Sequence, residues 1–157
     1  MRIGHGYDAH RFVENRPLVL GGVTVPFELG LLAHSDGDAV IHALCDALLG
    51  AAALGDIGNY FPDTEAEYSG IDSRLLLANV MRMLGDKGYS IVNADITIVA
   101  QAPRLAPYLD DMKSLLAGDM NISTDRINIK ATTTENMGFL GRKEGLAVHS
   151  VVLIDLK

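Results

Sequence analysis

A two-layer α/β sandwich, with three main helices on one face of a mixed β-sheet, is the fold class this sequence predicts. Three observations lead there. Period-two alternation marks strands at Asp95-Ile96-Thr97-Ile98 and over residues 146–156. Three segments of helical length lie between the strand-like stretches, one of them apolar on nearly every side. A hairpin signature stands near the start. Strands interleaved with helices bury their apolar faces by packing the helices against the sheet.

Residues 1–7 read as an opening strand, with Asp8-Ala9-His10 at its end. Leu18-Val19-Leu20 and Val23-Thr24-Val25 flank Gly21-Gly22, the pattern of a β-hairpin with a two-residue turn. Residues 26–32 are a connection. Residues 38–54 are almost entirely apolar, as expected of a helix buried all round. His42 and Asp46 interrupt that run and its length is marginal for a bilayer, so a core helix is expected and no membrane span. Gly55-Asp56-Ile57-Gly58 leads into a loop through Phe61-Pro62-Asp63-Thr64. Residues 73–87 form an amphipathic helix, with Leu76, Val80, Met83 and Leu84 on one face and Gly88 as its terminator. A strand over 91–100, a third helix over 107–120 and strands over 127–131 and 146–156 complete the chain.

The 157 residues suit one domain with a real core, expected to span 1–157. A composition 48% hydrophobic and 21% charged excludes disorder. The opening residues lack a charged segment followed by an apolar stretch, so no signal peptide is expected. Cys45 is the single cysteine, which excludes an internal disulfide and fits a reducing compartment. A bacterial cytoplasm is expected, or a plastid stroma after removal of a transit peptide. A net charge of −7 argues against a nucleic-acid surface but not against a small anionic ligand, whose site is set by a local dication and placed donors.

Asp8, His10 and His42 carry the chemistry. Residues two apart in a strand point the same way, so Asp8 and His10 share a face. A polar group in an apolar helix is costly unless paired. His42 is therefore either a satisfied core residue or the third member of a metal site with Asp8 and His10. Two nitrogens and one oxygen suit zinc with an open fourth position. Asp38, His42 and Asp46 are spaced four apart on one helical stripe. Asp46 is a candidate for orienting a ligand or loop from behind. His34-Ser35-Asp36-Gly37-Asp38 precedes the helix and serves as its N-cap; His34 and Ser35 are also placed to touch an anion at the helix N-terminus. Thr132-Thr133-Thr134-Glu135 reads equally as ordinary strand or as hydroxyls and one carboxylate for phosphate and a hard cation such as magnesium. Gly138-Phe139-Leu140-Gly141-Arg142 reads as a flexible turn. Cys45 is expected to be a buried thiol rather than a ligand, and His5 and His149 receive no role.

Five ordered motifs together carry a resemblance: Gly4-His5-Gly6-Tyr7-Asp8-Ala9-His10, Leu32-Ala33-His34-Ser35-Asp36-Gly37-Asp38, Gly55-Asp56-Ile57-Gly58, Phe61-Pro62-Asp63-Thr64 and Lys130-Ala131-Thr132-Thr133-Thr134-Glu135. In these the chain resembles the 2-C-methyl-D-erythritol 2,4-cyclodiphosphate synthase family of the non-mevalonate isoprenoid pathway, from residue 1 to the final strand. The resemblance implies cyclisation of 4-diphosphocytidyl-2-C-methyl-D-erythritol 2-phosphate with release of CMP. It implies that Asp8, His10 and His42 hold one zinc per subunit and that Glu135 holds magnesium or manganese. His34, Ser35, Asp56, Ile57, Gly58, Phe61 and Asp63 match the surroundings of the methylerythritol phosphate. Ala100, Pro103, Arg104, Leu105 and Ala106, with Ala131, Thr132, Thr133 and Thr134, match the cytidine diphosphate side. His34 and Thr133 match residues supporting the phosphoryl-transfer transition state.

The resemblance further implies a homotrimer with active sites between subunits. It implies a channel on the threefold axis near Phe139 and Arg142, where an isoprenoid diphosphate would be held by Arg142. Arg104 stands where relatives often carry lysine, which changes the geometry offered to phosphate. Two other readings remain: a zinc phosphoesterase activating water, and a metal-stapled trimer that binds nucleotide or isoprenoid without turnover. No His-Glu-x-x-His motif supports the first.

Overall fold

The computed structural model describes residues 1–62 and 69–157. In chain order the elements are β1 (Arg2–Val13), β2 (Leu18–Leu20), β3 (Val23–Val25), β4 (Gly30–Leu31), α1 (Ala39–Ala51), α2 (Ile57–Tyr60) and α3 (Ser73–Asp86). They continue with β5 (Tyr89–Val99), α4 (Leu109–Met120), β6 (Ile127–Thr132), α5 (Gly138–Gly141) and β7 (Gly145–Leu156). Among the described residues, five strands form one mixed sheet in the order β4-β1-β7-β5-β6, in which only β5 and β6 pair in parallel. β2 and β3 form a separate hairpin. Helices α1, α3 and α4 cover one sheet face, the two-layer arrangement expected from the sequence. Among the described residues, no helix is long and apolar enough to cross a membrane.

Alternation sets the two faces. Along β7, Leu146, Val148, Ser150, Val152 and Ile154 are buried under the helices, while His149 and Val151 face outward. Along β1 the buried face holds Gly4 and Gly6, and the outward face holds Ile3, His5 and Tyr7. The opening strand is longer than the apolar pattern suggests. Pairing with β7 runs without a break from Arg2↔Ile154 to Arg11↔Gly145, so Asp8 and His10 lie inside the strand rather than at its end. Two residues of the expected connection, Gly30 and Leu31, add an edge strand opposite Val13 and Phe12.

The hairpin turn places Gly21 and Gly22 at φ of 57° and 77°, the left-handed region a two-residue turn demands. Both glycine N–H groups donate to the Asp38 carboxylate, at 2.8 and 2.7 Å. Ile41 N–H donates to the same carboxylate at 3.1 Å, which makes Asp38 the N-cap of α1. Full burial pushes Asp38 up to about 6, against these three backbone donors. Cap and hairpin are thus one joint. Asp38 takes up the Ile41 amide at the start of α1, so that N–H is not open to an anion.

The contact between β1 and α1 is close. A methyl group on Gly6 would lie 1.9 Å from the Ala43 carbonyl oxygen, and one on Gly4 would lie 1.9 Å from that of Ala47. Strand and helix backbones touch with no side chain between them. Gly6→Ala forces them apart and is expected to cost about 1–3 kcal/mol or more. Gly50→Ala, where the new methyl meets nothing on the exposed side of α1, is expected to gain about 0.5–1 kcal/mol. Urea unfolding of both variants checks the pair; equal stabilities would contradict the close approach.

Candidate metal centre

Past Gly4 and Gly6 on the same face of β1 come Asp8 and His10, and next to Ala43 on α1 comes His42. The backbone contact therefore delivers the three side chains to one point. Asp8 Oδ2 lies 2.8 Å from His10 Nε2 and 3.1 Å from His42 Nδ1, and the two nitrogens are 3.4 Å apart. Tetrahedral zinc with bonds of about 2.0–2.1 Å spans ligand-to-ligand edges of roughly 3.3 Å. The triangle fits one face of such a tetrahedron. All three residues are partly buried, and their donor atoms fall within the reach of one ion.

Each imidazole has its second nitrogen occupied. His10 Nδ1 lies 2.9 Å from the Leu32 carbonyl oxygen, which only accepts, so Nδ1 carries a proton and, in the neutral ring, Nε2 is the nitrogen open to a metal. His42 Nε2 lies 2.9 Å from Ser73 Oγ and 3.1 Å from Ser35 Oγ. Burial alone would raise the Asp8 carboxyl; hydrogen bonds and charge from His10 and His42 outweigh it and hold it at about 2. Burial opposes a charge on His42, yet its hydrogen bond to Asp8 and the nearby Asp8, Asp38 and Asp36 carboxylates raise its proton affinity. A ready carboxylate between two imidazoles is a cation-binding donor set.

The triad forms one wall of a cavity of about 500 Å³. His34, Ser35, Asp46, Ile57, Gly58 and Phe61 line it too, so most residues expected around the smaller phosphate converge here. Asp46 accepts from Ile57 N–H at 2.8 Å, which fixes the loop behind the cavity, and burial raises its carboxyl. Asp56 caps α2 through Asn59 N–H at 3.1 Å and is not among the cavity-lining residues. Asp63 lies outside the described residues. The Arg16 guanidinium donates to the Ala33 and Ser35 carbonyls and braces this wall. Arg16 sits in a polar turn, and no local pattern singles it out.

The expected cytidine side is elsewhere in the chain. Asp8, Val148, Ile98 and Ala131 stand in one row across the sheet by strand pairing. Three strand spacings separate Asp8 from Ala131, roughly 14 Å. Thr132, Thr133, Thr134 and Glu135 follow at the end of β6, and Pro103, Arg104 and Ala106 lie beyond β5. None of them lines the triad's cavity. Ala100 and Leu105 are buried in the core. Thr133 Oγ1 donates to Glu135 Oε1 at 3.2 Å, and Asn136 N–H donates to Gln101 at 3.1 Å, which ties the two segments together. Glu135 and Asn136 hold φ of 52° and 63°, a conformation that non-glycine residues rarely keep.

Phe139 lines a separate cavity of about 180 Å³ with Ala9, His10, Arg11, Glu144 and Gly145. Arg142 Nε donates to Glu144 Oε1 at 3.0 Å, so any anion there competes with a carboxylate. Cys45 is fully buried and its thiol is pushed up by burial, which makes it inert. His5 and His149 lie together on the uncovered sheet face, with ring nitrogens 3.2 Å apart, away from the triad.

The YgbB family model matches residues 1–155. A 2-C-methyl-D-erythritol 2,4-cyclodiphosphate synthase of Haemophilus ducreyi is 59% identical over 157 residues, covering all of this chain and 98% of that protein. One of Azotobacter vinelandii is 57% identical over 154 residues, 98% of each chain. Among solved structures, the bifunctional IspDF of Campylobacter jejuni superposes with a TM-score of 0.96 at 46% identity; the match covers 99% of this chain and 42% of that one. A CDP-bound 2C-methyl-D-erythritol-2,4-cyclodiphosphate synthase superposes at 0.90 with 40% identity, covering 98% of this chain and all of that one.

A metal must displace the proton that Asp8 stabilises on His42. Because that proton is held more tightly than the ordinary histidine value of 6.5, metal affinity is expected to keep rising with pH above 6.5. Asp8, held at about 2, adds no proton competition in that range. Chelator competition across neutral pH checks this, and an affinity already level at pH 6.5 would contradict it.

Proposed function

The chain belongs to the YgbB family, the 2-C-methyl-D-erythritol 2,4-cyclodiphosphate synthases, and on that premise we propose that it converts 4-diphosphocytidyl-2-C-methyl-D-erythritol 2-phosphate to 2-C-methyl-D-erythritol 2,4-cyclodiphosphate and CMP. The observation that carries the reading is the donor triangle of Asp8, His10 and His42 at the wall of a cavity. A 2-phosphate oxygen forms a bond to the β-phosphorus, and the bridge between the α- and β-phosphates breaks with its electron pair leaving on CMP. This makes the protein a phosphorus–oxygen lyase. The nucleophile is already an anion, so no strong general base is required.

Asp8, His10 and His42 would hold zinc, and Glu135 magnesium or manganese. Bound there, the two cations supply Lewis acidity and a template that offsets repulsion between the reacting anions. His34, Ser35 and the Ile57-Gly58 turn clamp the 2-phosphate end, while Thr132, Thr133 and the 100–106 segment take the cytidine diphosphate end. Clamping both ends removes the entropy of ring closure, which in well-oriented intramolecular reactions is worth about 7–11 kcal/mol. His34 and Thr133 place donors where phosphoryl charge develops.

We infer a homotrimer in which one chain's triad faces the cytidine-side residues of its neighbour. Two facts support it. Those residues stand across the sheet from the triad and do not line its cavity. The uncovered sheet face also exposes Ile3, Tyr7 and Val151, an apolar surface that assembly would bury. A cytoplasmic site of action fits the bacterial relatives. An isoprenoid diphosphate on the trimer axis would have to draw Arg142 away from Glu144.

Phosphorus NMR of the protein with this substrate and magnesium tests the reading. Paired cyclodiphosphate resonances and CMP, lost on zinc chelation, are expected. A linear phosphate product would establish the hydrolase instead, and zinc-loaded protein without turnover would leave a binding role. Glu135→Gln is expected to weaken the response to magnesium at least tenfold while zinc content stays unchanged. Loss of zinc with intact magnesium response would reverse the two assignments.

A further inference from the structure

Behind His42 stands a chain of side chains with no place in the triad itself. Ser73, the first residue of α3, is fully buried, and its Oγ lies 2.9 Å from His42 Nε2. The same hydroxyl lies 2.5 Å from Asp36 Oδ1, and Ser73 N–H donates to Asp36 Oδ2 at 3.0 Å. One carboxylate therefore grips both the amide and the hydroxyl of Ser73. Two backbone bonds hold the segments side by side: Asp36 N–H to the Ile71 carbonyl at 3.1 Å and Gly70 N–H to the His34 carbonyl at 2.8 Å.

The donor count settles the direction of the chain. A carboxylate only accepts, and a serine hydroxyl has one proton. Ser73 gives that proton to Asp36 and has only lone pairs left for His42. His42 Nε2 must then be the N–H donor, and in the neutral ring Nδ1 carries no proton toward Asp8 and His10. Without this acceptor the ring proton is drawn to Nδ1, where Asp8 Oδ2 waits 3.1 Å away. A proton in that place occupies the position a metal needs.

We propose that Ser73 and Asp36 are positioning residues that hold His42 in its Nε2–H tautomer and so keep Nδ1 open as a metal ligand. Ser35 is not equivalent, although its Oγ is 3.1 Å from the same nitrogen. Its hydroxyl accepts from Gly37 N–H at 3.2 Å, and among the described residues no carboxylate takes its proton, so it can donate to His42 as readily as accept. The relay runs through Ser73. It works against the pull of Asp8, and hydrogen bonds behind ligating histidines commonly matter this much to metal affinity.

The inference rests on the triad being a metal site, and the test separates the two. Zinc alone is titrated in competition with a chromogenic chelator into wild type, Ser73→Ala, Ser73→Thr, Asp36→Asn and Ser35→Ala. Ser73→Ala is expected to weaken zinc about 10–100-fold. Ser73→Thr restores most of the affinity, Asp36→Asn falls between, and Ser35→Ala changes it least. Nitrogen-15 spectra of the metal-free, histidine-labelled protein are expected to show a lower Nε2–H fraction at His42 in Ser73→Ala than in wild type. Zinc affinity and tautomer both unchanged in Ser73→Ala, whatever its melting temperature, would overturn the relay alone. If Ser73→Ala does not fold, the same two readouts in Asp36→Asn decide in its place. Wild-type protein that takes up no zinc would overturn the site and the relay together.

Discussion

The site depends on one steric constraint: β1 and α1 pack backbone to backbone. Gly4 and Gly6 leave no side chain on the buried face of the strand, and Ala43, Ala47 and Ala51 offer only methyl groups or bare backbone from the helix. Strand and helix can therefore approach until carbonyl and Cα touch. The next two positions on that strand face are Asp8 and His10, and the residue before Ala43 is His42. With larger residues in place of the glycines, the same three side chains would stand too far apart to share an ion. The joint at Asp38 adds to this, because it fixes the start of α1 against the β2–β3 turn and so sets how far along the strand the helix sits.

Electrostatics then does what packing makes possible. A half-buried carboxylate beside two imidazoles is stabilised in its charged form, while His42 gains proton affinity from the same contact. The cluster is a cation site at which a proton competes with a metal. Groups that steer the proton on His42 away from Nδ1 therefore bear on metal binding as directly as the ligands do. The residues proposed for a cytidine diphosphate, by contrast, collect at the far side of the sheet, at the ends of β5 and β6. On the proposed function, one chain carries both halves of a site without bringing them together, and assembly is what would join them.

Much of this is legible in the sequence, for identifiable reasons. The triad shows because a lone histidine in an apolar helix and an aspartate two residues from a histidine in a strand are both out of pattern. Strands β5 and β7 show because their alternation is clean. The reach of β1 through Val13 does not show, because Asp8, His10 and Arg11 break the apolar alternation while backbone pairing with β7 continues regardless. The two-residue edge strand at Gly30–Leu31 is too short to leave any period. Ser73 and Arg16 act through contacts between residues 17 to 37 positions apart, and nothing in their immediate neighbours marks them; Asp36 stands in the capping segment, whose pattern does not show its hold on Ser73. Local pattern finds ligands; it does not find what holds them.

The most direct measurement is anomalous diffraction at the zinc edge from crystals grown with zinc. One peak per chain is expected, bonded to Asp8 Oδ2, His10 Nε2 and His42 Nδ1 at about 2.0–2.2 Å, with its fourth position turned to the cavity. A peak bonded through His42 Nε2, a site closed by a fourth protein ligand, or no peak at the triad would contradict it.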